Sequence, residues 1–306
     1  LGPLAGRSTP VHMLTLSGLD DQACQHILEA REITGAPTTL HALARLYGGN
    51  PLALQLISEP IHELFGGDVG AFLAAGDAFF NGVGKLLAQQ FARATPLEQT
   101  ILYWLAIGRE PVSLTALLAW MSHAASQRAV LVALESLRRR MLIEHTAGQP
   151  AFLLQPVILE FLTDQLVEAV RRELNEGDPQ LLRSHALVQA TAKDYVRYSQ
   201  ELLIIRPLIE PVVGVPGHAE TPERQLLMLL TFWREQPRSE QGYGPGNVVN
   251  LLRSLRGELR GLDLTRLVIR QAYLAEVDAQ DARLSDAELA DTVLAEAFHF
   301  PGSVAL

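Results

Sequence analysis

The sequence predicts a mainly α-helical protein that closes in a short, pentapeptide-like β-coil. Three observations carry this reading. Apolar residues recur at helical spacing behind capping residues, as at Thr95-Pro96-Leu97-Glu98. Gly and Pro punctuate the ends of those runs, as at Gly48-Gly49 and Pro51. From Leu264 to Leu294 the apolar period changes to five residues.

Taken in order, Val11–Leu16 alternates weakly and reads as one short strand. Residues 17–35 read as a helix that Asp20 or Asp21 caps and Gly35 stops. A second helix spans Thr38 to Tyr47. A third starts with Pro51 at its first position, where a missing N–H costs nothing, and Pro60 is expected to kink or split it. Residues 68–94 hold one or two more helices, interrupted by Gly76, Gly82 and Gly84.

Thr95–Glu98 is a capping box, and the helix it opens carries Ile101, Leu102, Trp104, Leu105 and Ile107. Ser113 caps a short helix to Met121, and the helix over 126–140 puts Val130, Leu131, Leu134 and Leu137 on one face. Met141–His145 and Ala151–Leu154 flank a turn at Gly148 and read as a hairpin. Three helices, a hairpin and a further helix over 95–175 form a winged-helix pattern. Residues 178–236 read as helical: one helix carries Leu181, Leu182, Leu187, Val188 and Ala192, and others span Leu202–Val213 and Leu226–Trp233.

Leu264, Ile269, Leu274, Ala279, Leu284, Leu289 and Leu294 fall at strict spacing of five, with a second small or apolar residue two positions before each. An α-helix has no such period. A chain that turns a corner every five residues does, with these side chains pointing inward and Glu276, Asp286, Glu288 and Asp291 outward. The expected organisation is a small helical domain over 1–94, the winged helix over 95–175, a helical linker over 176–257, the coil over 258–297 and the start of a further element over 298–306.

Composition bounds the function. At 48% hydrophobic and 19% charged, 306 residues suffice for two or three packed domains. A net charge of −9 argues against a protein that coats nucleic acid or anionic lipid. Cys24, the single cysteine, excludes an internal disulfide and a cysteine metal cage and fits a reducing cytoplasm. No run of about 20 apolar residues suits a membrane span. The nine histidines lack zinc spacing, and no Gly-x-Ser-x-Gly elbow is present. Arg138-Arg139-Arg140 ends the helix that would read DNA, but over 95–174 seven arginines face eight acidic residues, a balance that disfavours phosphate binding. Leu1 at the start and a strand-like Gly302-Ser-Val-Ala-Leu306 at the close suggest an internal piece of a longer chain.

The segment Tyr47-Gly-Gly-Asn-Pro-Leu-Ala-Leu54 resembles the Gly-x-Pro-Leu-Ala segment of NB-ARC modules, the switch ATPases of the STAND group. Val11–Gly35 is similar to that family's step from its last nucleotide-binding strand into a small helical domain, and the winged-helix pattern follows where the family places one. Gln241-Gly-Tyr-Gly-Pro-Gly-Asn-Val-Val-Asn-Leu-Leu252, the five-residue coil and the closing Gly302-Ser-Val-Ala305 resemble bacterial members that continue into a WD-repeat propeller. The resemblance implies the regulatory part of an ADP/ATP-dependent signal-transduction switch. It would close over ADP, couple a sensor propeller to an effector, and self-oligomerise on activation, in the cytoplasm of a bacterium and without a membrane.

It further implies that Gly49, Asn50 and Pro51 contact the nucleotide, with Pro51 against the adenine. Leu154-Gln155-Pro156 stands where many members carry Met-His-Asp, so Gln155 takes the place of a β-phosphate-contacting His, with an amide that donates but bears no charge. No Gly-x-x-x-x-Gly-Lys-Ser/Thr occurs in the sequence. The phosphate cradle, the Mg²⁺ site and any ATPase chemistry would belong to an upstream P-loop domain, and this chain by itself is not expected to be an enzyme. The alternative is a winged-helix DNA-binding transcription regulator with a helical sensing half.

Overall fold

The computed structural model describes residues 19–47, 49, 51–74, 83–121, 125–146, 150–210 and 221–294. The chain is mainly helical and forms two compact units, one ending at Ala94 and the other beginning at Thr95. The strand read at Val11–Leu16, the glycines Gly76, Gly82 and Gly148, and residues 298–306 lie outside the described residues.

The first unit contains α1 (Asp21–Glu29), α2 (Pro37–Leu46), α3 (Pro51–Phe65), α4 (Val69–Ala74) and α5 (Val83–Ala92). Asp20 caps α1 by accepting the Ala23 N–H at 2.8 Å. The helix stops six residues before Gly35, because the chain turns at Glu32 in the left-handed region (φ 58°). Thr34 then bridges Asp68: its N–H donates to the Gly67 carbonyl at 2.8 Å, and its carbonyl accepts from Val69 at 2.9 Å. Pro60 does not split α3, which runs unbroken from Pro51 to Phe65. Ile57 and Ile61, on either side of the proline, are fully buried, and this packing offsets the one hydrogen bond that Pro60 cannot donate.

The second unit opens with the capping box. Glu98 N–H donates to Thr95 Oγ1 at 3.3 Å, Thr95 N–H donates to Glu98 Oε2 at 2.7 Å, and α6 (Pro96–Gly108) follows. Next come β1 (Val112–Ser113), α7 (Leu114–Trp120), α8 (Gln127–Arg139), β2 (Glu144–His145), β3 (Ala151–Leu153) and α9 (Pro156–Glu176). Ser113 and Ser126 cap α7 and α8. The three strands are antiparallel in the order β1-β3-β2, which leaves β1 and β2 on the edges. Ile101, Leu105, Leu134 and Leu137 are buried, as their spacing requires.

After α10 (Gln180–Ser184) the chain is irregular up to α11 (Asp194–Gln200), which continues through a π-helical stretch, Glu201–Ile205, into α12 (Arg206–Ile209). The helix expected through Leu187, Val188 and Ala192 does not form. The Asn247 side chain takes over the backbone there, accepting from Leu187 N–H at 2.8 Å and donating to the Leu182 and His185 carbonyls, both at 2.7 Å. Within the reach expected for Leu202–Val213, described helix ends at Ile209.

Then follow α13 (Pro222–Glu235), α14 (Arg238–Gln241) and α15 (Gly244–Arg256). Residues 244–252 are all buried, so α15 is a central helix of this unit. Two of its glycines are steric necessities. A Cβ on Gly244 would overlap the Trp233 indole, and one on Gly246 would overlap the Arg270 carbonyl.

The last described segment is a coil. β4 (Val268–Arg270) pairs in parallel with β5 (Glu288–Ala290), and partners such as Ile269 and Leu289 lie 20 residues apart. Twenty residues divided by the five-residue period gives four sides to a turn. The corners are visible in the backbone: Gly261, Arg266, Gln271, Glu276, Asp281, Asp286 and Asp291 all have positive φ. At three of them the turn closes through a bond three residues long, Leu262 N–H to Leu259, Ala282 N–H to Ala279 and Ala287 N–H to Leu284, the pattern of a type II turn. Ile269, Leu274 and Ala279 point into the coil and are buried. Leu289 departs from the expected inward set, with 39% exposure, and Leu284 and Leu294 are half-buried. The first turn covers this second turn on one side only among the described residues.

The helices close the first turn on its other side with side chains. Gln241 Oε1 accepts from Val268 N–H at 2.7 Å, and Asn250 Nδ2 donates to the Gln271 carbonyl at 3.0 Å. Arg234 donates to the Asp263 and Thr265 carbonyls, while the Tyr273 ring carries the Arg197 guanidinium at 3.7 Å and that of Arg253 at 5.3 Å.

Candidate functional site

The expected nucleotide-contact residues fall in separate units. In the first, α2 ends at Leu46, Tyr47 follows as its C-cap, and the chain turns through Gly49 at φ 64°, a conformation glycine adopts without strain. Gly49 N–H donates to the Ala44 carbonyl and its carbonyl accepts from Leu19 N–H, both at 2.9 Å. Pro51 then starts α3 with its ring exposed. Asn50 lies outside the described residues. Beside the turn, Tyr47 is buried and its hydroxyl has no partner among the described residues; burial pushes its pKa above the ordinary tyrosine range. The turn thus presents an exposed proline ring, while the Tyr47 hydroxyl is enclosed beneath the surface.

In the second unit, Gln155 is the N-cap residue of α9, but its side chain makes no cap bond. Its Nε2 donates instead to Glu144 on β2. A carboxylate beside the amide repels a phosphate, so Gln155 as it stands, bonded to Glu144, is not poised for one.

The arginines of the predicted reading helix are also occupied. Arg138 and Arg139 both pair with Glu135, and Arg140 lies 3.6 Å from Glu98. Burial pushes the Glu98 carboxyl up, but hydrogen bonds from Ser136 and Thr95 and the Arg140 charge outweigh it and hold it below the usual carboxylate range. Three arginines face two carboxylates, which cancels most of their charge towards a DNA backbone.

Among the histidines, His185 is fully buried against Trp104 and Tyr103. Its Nε2 faces the Thr100 carbonyl at 3.2 Å and therefore carries the ring proton, while Nδ1 lies 2.8 Å from Ser184 Oγ. Burial lowers its pKa to about 4. Among the described residues no group of three His, Cys, Asp or Glu side chains is placed to hold a metal, and no helix is long and apolar enough to cross a membrane.

The polar residues that organise the second unit were not visible as such in the sequence. Asn247 and Asn250, one helical turn apart on α15, and Gln200 and Gln241 are all buried with bonded amides. Their one sequence signal is polar amides inside an apolar helical run.

These features define a mainly helical chain with a four-sided coil docked on its central helix. The chain is similar to an uncharacterized WD repeat-containing protein of Nostoc sp., at 35% identity over 333 aligned residues. The match covers 97% of this chain and 26% of that protein, so the chain spans about a quarter of its relative's length. No protein-family model and no solved structure matches the chain.

Proposed function

We propose that the chain is the regulatory middle of an NB-ARC-type, ADP/ATP-dependent switch, coupling a sensor to an effector. The observation that carries this reading is the turn at Gly49: a left-handed glycine delivers Pro51, exposed, to the first position of α3, within the Gly-x-Pro-Leu-Ala pattern. The order of elements supports it. We read α6 to α9 with the β1-β3-β2 sheet as a winged helix, and the coil after α15 as the pentapeptide-like lead into a WD-repeat propeller. The WD repeats of the Nostoc protein support that last step. The phosphate cradle and Mg²⁺ would come from a P-loop domain upstream in the parent protein, and activation would be accompanied by self-association.

In this reading Gln155 meets a phosphate only after it releases Glu144, which makes the Gln155–Glu144 bond part of the switch. ADP and ATP affinities of the complete protein, measured by calorimetry, test it. Pro51→Ala is expected to weaken both nucleotides alike. Gln155→Ala is expected to weaken ADP more than ATP by a few-fold, the worth of one neutral hydrogen bond, about 0.5–1.5 kcal/mol. Glu144→Gln, which removes the competing charge, is expected to tighten ADP. A complete protein that binds neither nucleotide overturns the reading. Specific DNA binding with a steep salt dependence would replace it with the transcription-regulator alternative.

A further inference from the structure

A groove of about 430 Å³ runs within the second unit, between the β1–α7 corner on one side and residues 189–196 on the other, with the coil corner Gln271 among its lining residues. We propose that this groove binds an uncharged, extended peptide segment.

Four observations point to that chemistry. First, Pro111, Val112 and Ser113 of the β1 segment line the groove together with Ala151 of the neighbouring β3, so its wall is extended chain against which a segment of the same conformation can lie. Second, the deeper polar groups are neutral amides. Gln189 is 6% and Gln271 8% exposed, and Gln271 Oε1 has no donor among the described residues. A buried acceptor without a donor is costly, and a backbone N–H is the donor that an extended peptide brings. Third, the charges on the rim cancel. Lys193 Nζ lies 2.9 Å from Glu110 Oε1, and the Tyr195 hydroxyl donates to the same carboxylate. An anionic or cationic ligand finds no unpaired charge there. Fourth, the half-buried Trp120 and Ala192 and the buried Val196 supply apolar surface for the side chains of such a segment. The groove lies in a different unit from the Gly49–Pro51 turn, and the proposal does not depend on nucleotide binding.

The test is panning a phage-displayed library of random heptapeptides against the whole chain, followed by titration of the enriched peptides. Two variants separate the groove from the rest of the surface. Thr191 is exposed on the rim, so Thr191→Arg fills the groove without disturbing the core. Gln271→Leu removes the unpartnered acceptor. Enriched peptides are expected to lack Asp, Glu, Lys and Arg, to lose at least tenfold affinity for Thr191→Arg at unchanged melting temperature, and to lose roughly three- to tenfold for Gln271→Leu. No enrichment over an unrelated control protein overturns the proposal, as do peptides that bind Thr191→Arg as well as the parent. Saturable binding of adenosine that shifts the Gln271 side-chain amide resonances, with no peptide competing, would show a nucleoside pocket instead.

Discussion

Asn250 Oδ1 accepts the backbone N–H of Tyr273 at 2.9 Å. The same amide donates to the Gln271 carbonyl, so one side chain of α15 holds the coil backbone on both sides of Ala272 as a neighbouring strand would. Asn250→Ala leaves a buried donor and a buried acceptor unsatisfied. It is expected to lower stability by about 2–4 kcal/mol in urea unfolding, with faster amide exchange at Tyr273 than in the parent.

Gly246 and Gly84 make a contrasting pair. A methyl at 246 overlaps the Arg270 carbonyl, whereas one at 84 meets nothing within 4 Å. Gly246→Ala is expected to cost more than about 3 kcal/mol or to abolish folding, since the clash is with backbone that cannot step aside. Gly84→Ala, in the first turn of α5, is expected to stabilise by about 0.5 kcal/mol. Thermal melts of the two variants check both signs.

His185 links stability to pH. Its folded pKa, about 4, lies below the ordinary histidine value of 6.5, so below pH 6.5 the unfolded chain takes up a proton that the folded chain refuses. Its contribution is therefore complete above about pH 6.5 and is lost as pH falls towards 4. At pH 5 the loss is expected to reach about 2 kcal/mol. Urea midpoints at pH 7.5 and pH 5 measure it, and His185→Gln, which does not titrate, is expected to flatten the difference.

The coil corners place acidic residues in a backbone region that glycine prefers. Glu276 sits at φ 59° and is exposed. Glu276→Gly is expected to stabilise the coil by about 0.5–1 kcal/mol, because the left-handed conformation costs an L-residue about that much or more. The reverse change, Gly261→Ala at φ 66°, is expected to destabilise by a similar amount. Equilibrium unfolding of both variants is the check.

Leu134 is buried on α8, where the spacing of apolar residues put it. Leu134→Ala is expected to cost about 2–5 kcal/mol in the same assay, as other large-to-small changes in a packed core do.

What was legible in the sequence was local. Asp20, Thr95 and Ser113 each act within three residues, and all three cap the helices they precede. The five-residue period was legible because it repeats. What escaped is governed from a distance. Apolar spacing reads Leu187–Ala192 as a helix, but an amide 60 residues further along claims its backbone. The need for glycine at 244 and 246 comes from Trp233 and the Arg270 carbonyl, which occupy the space that side chains would need. At the candidate site, the bend at Gly49 follows from the residue itself. The partner of Gln155 does not, because Glu144 meets it only across the hairpin.

The four-sided turn gives the coil an indexing property. A full turn of 20 residues advances the chain by one strand spacing, about 4.8 Å, without changing its heading. Five residues more or fewer would instead swing the departing backbone by about a quarter revolution. Because α15 anchors the first turn through Gln241 and Asn250, that heading is set relative to the helices. Insertions in units of five are thus discrete clicks of a dial: each would re-aim whatever follows Leu294 by about 90° without touching the buried core of the helical body.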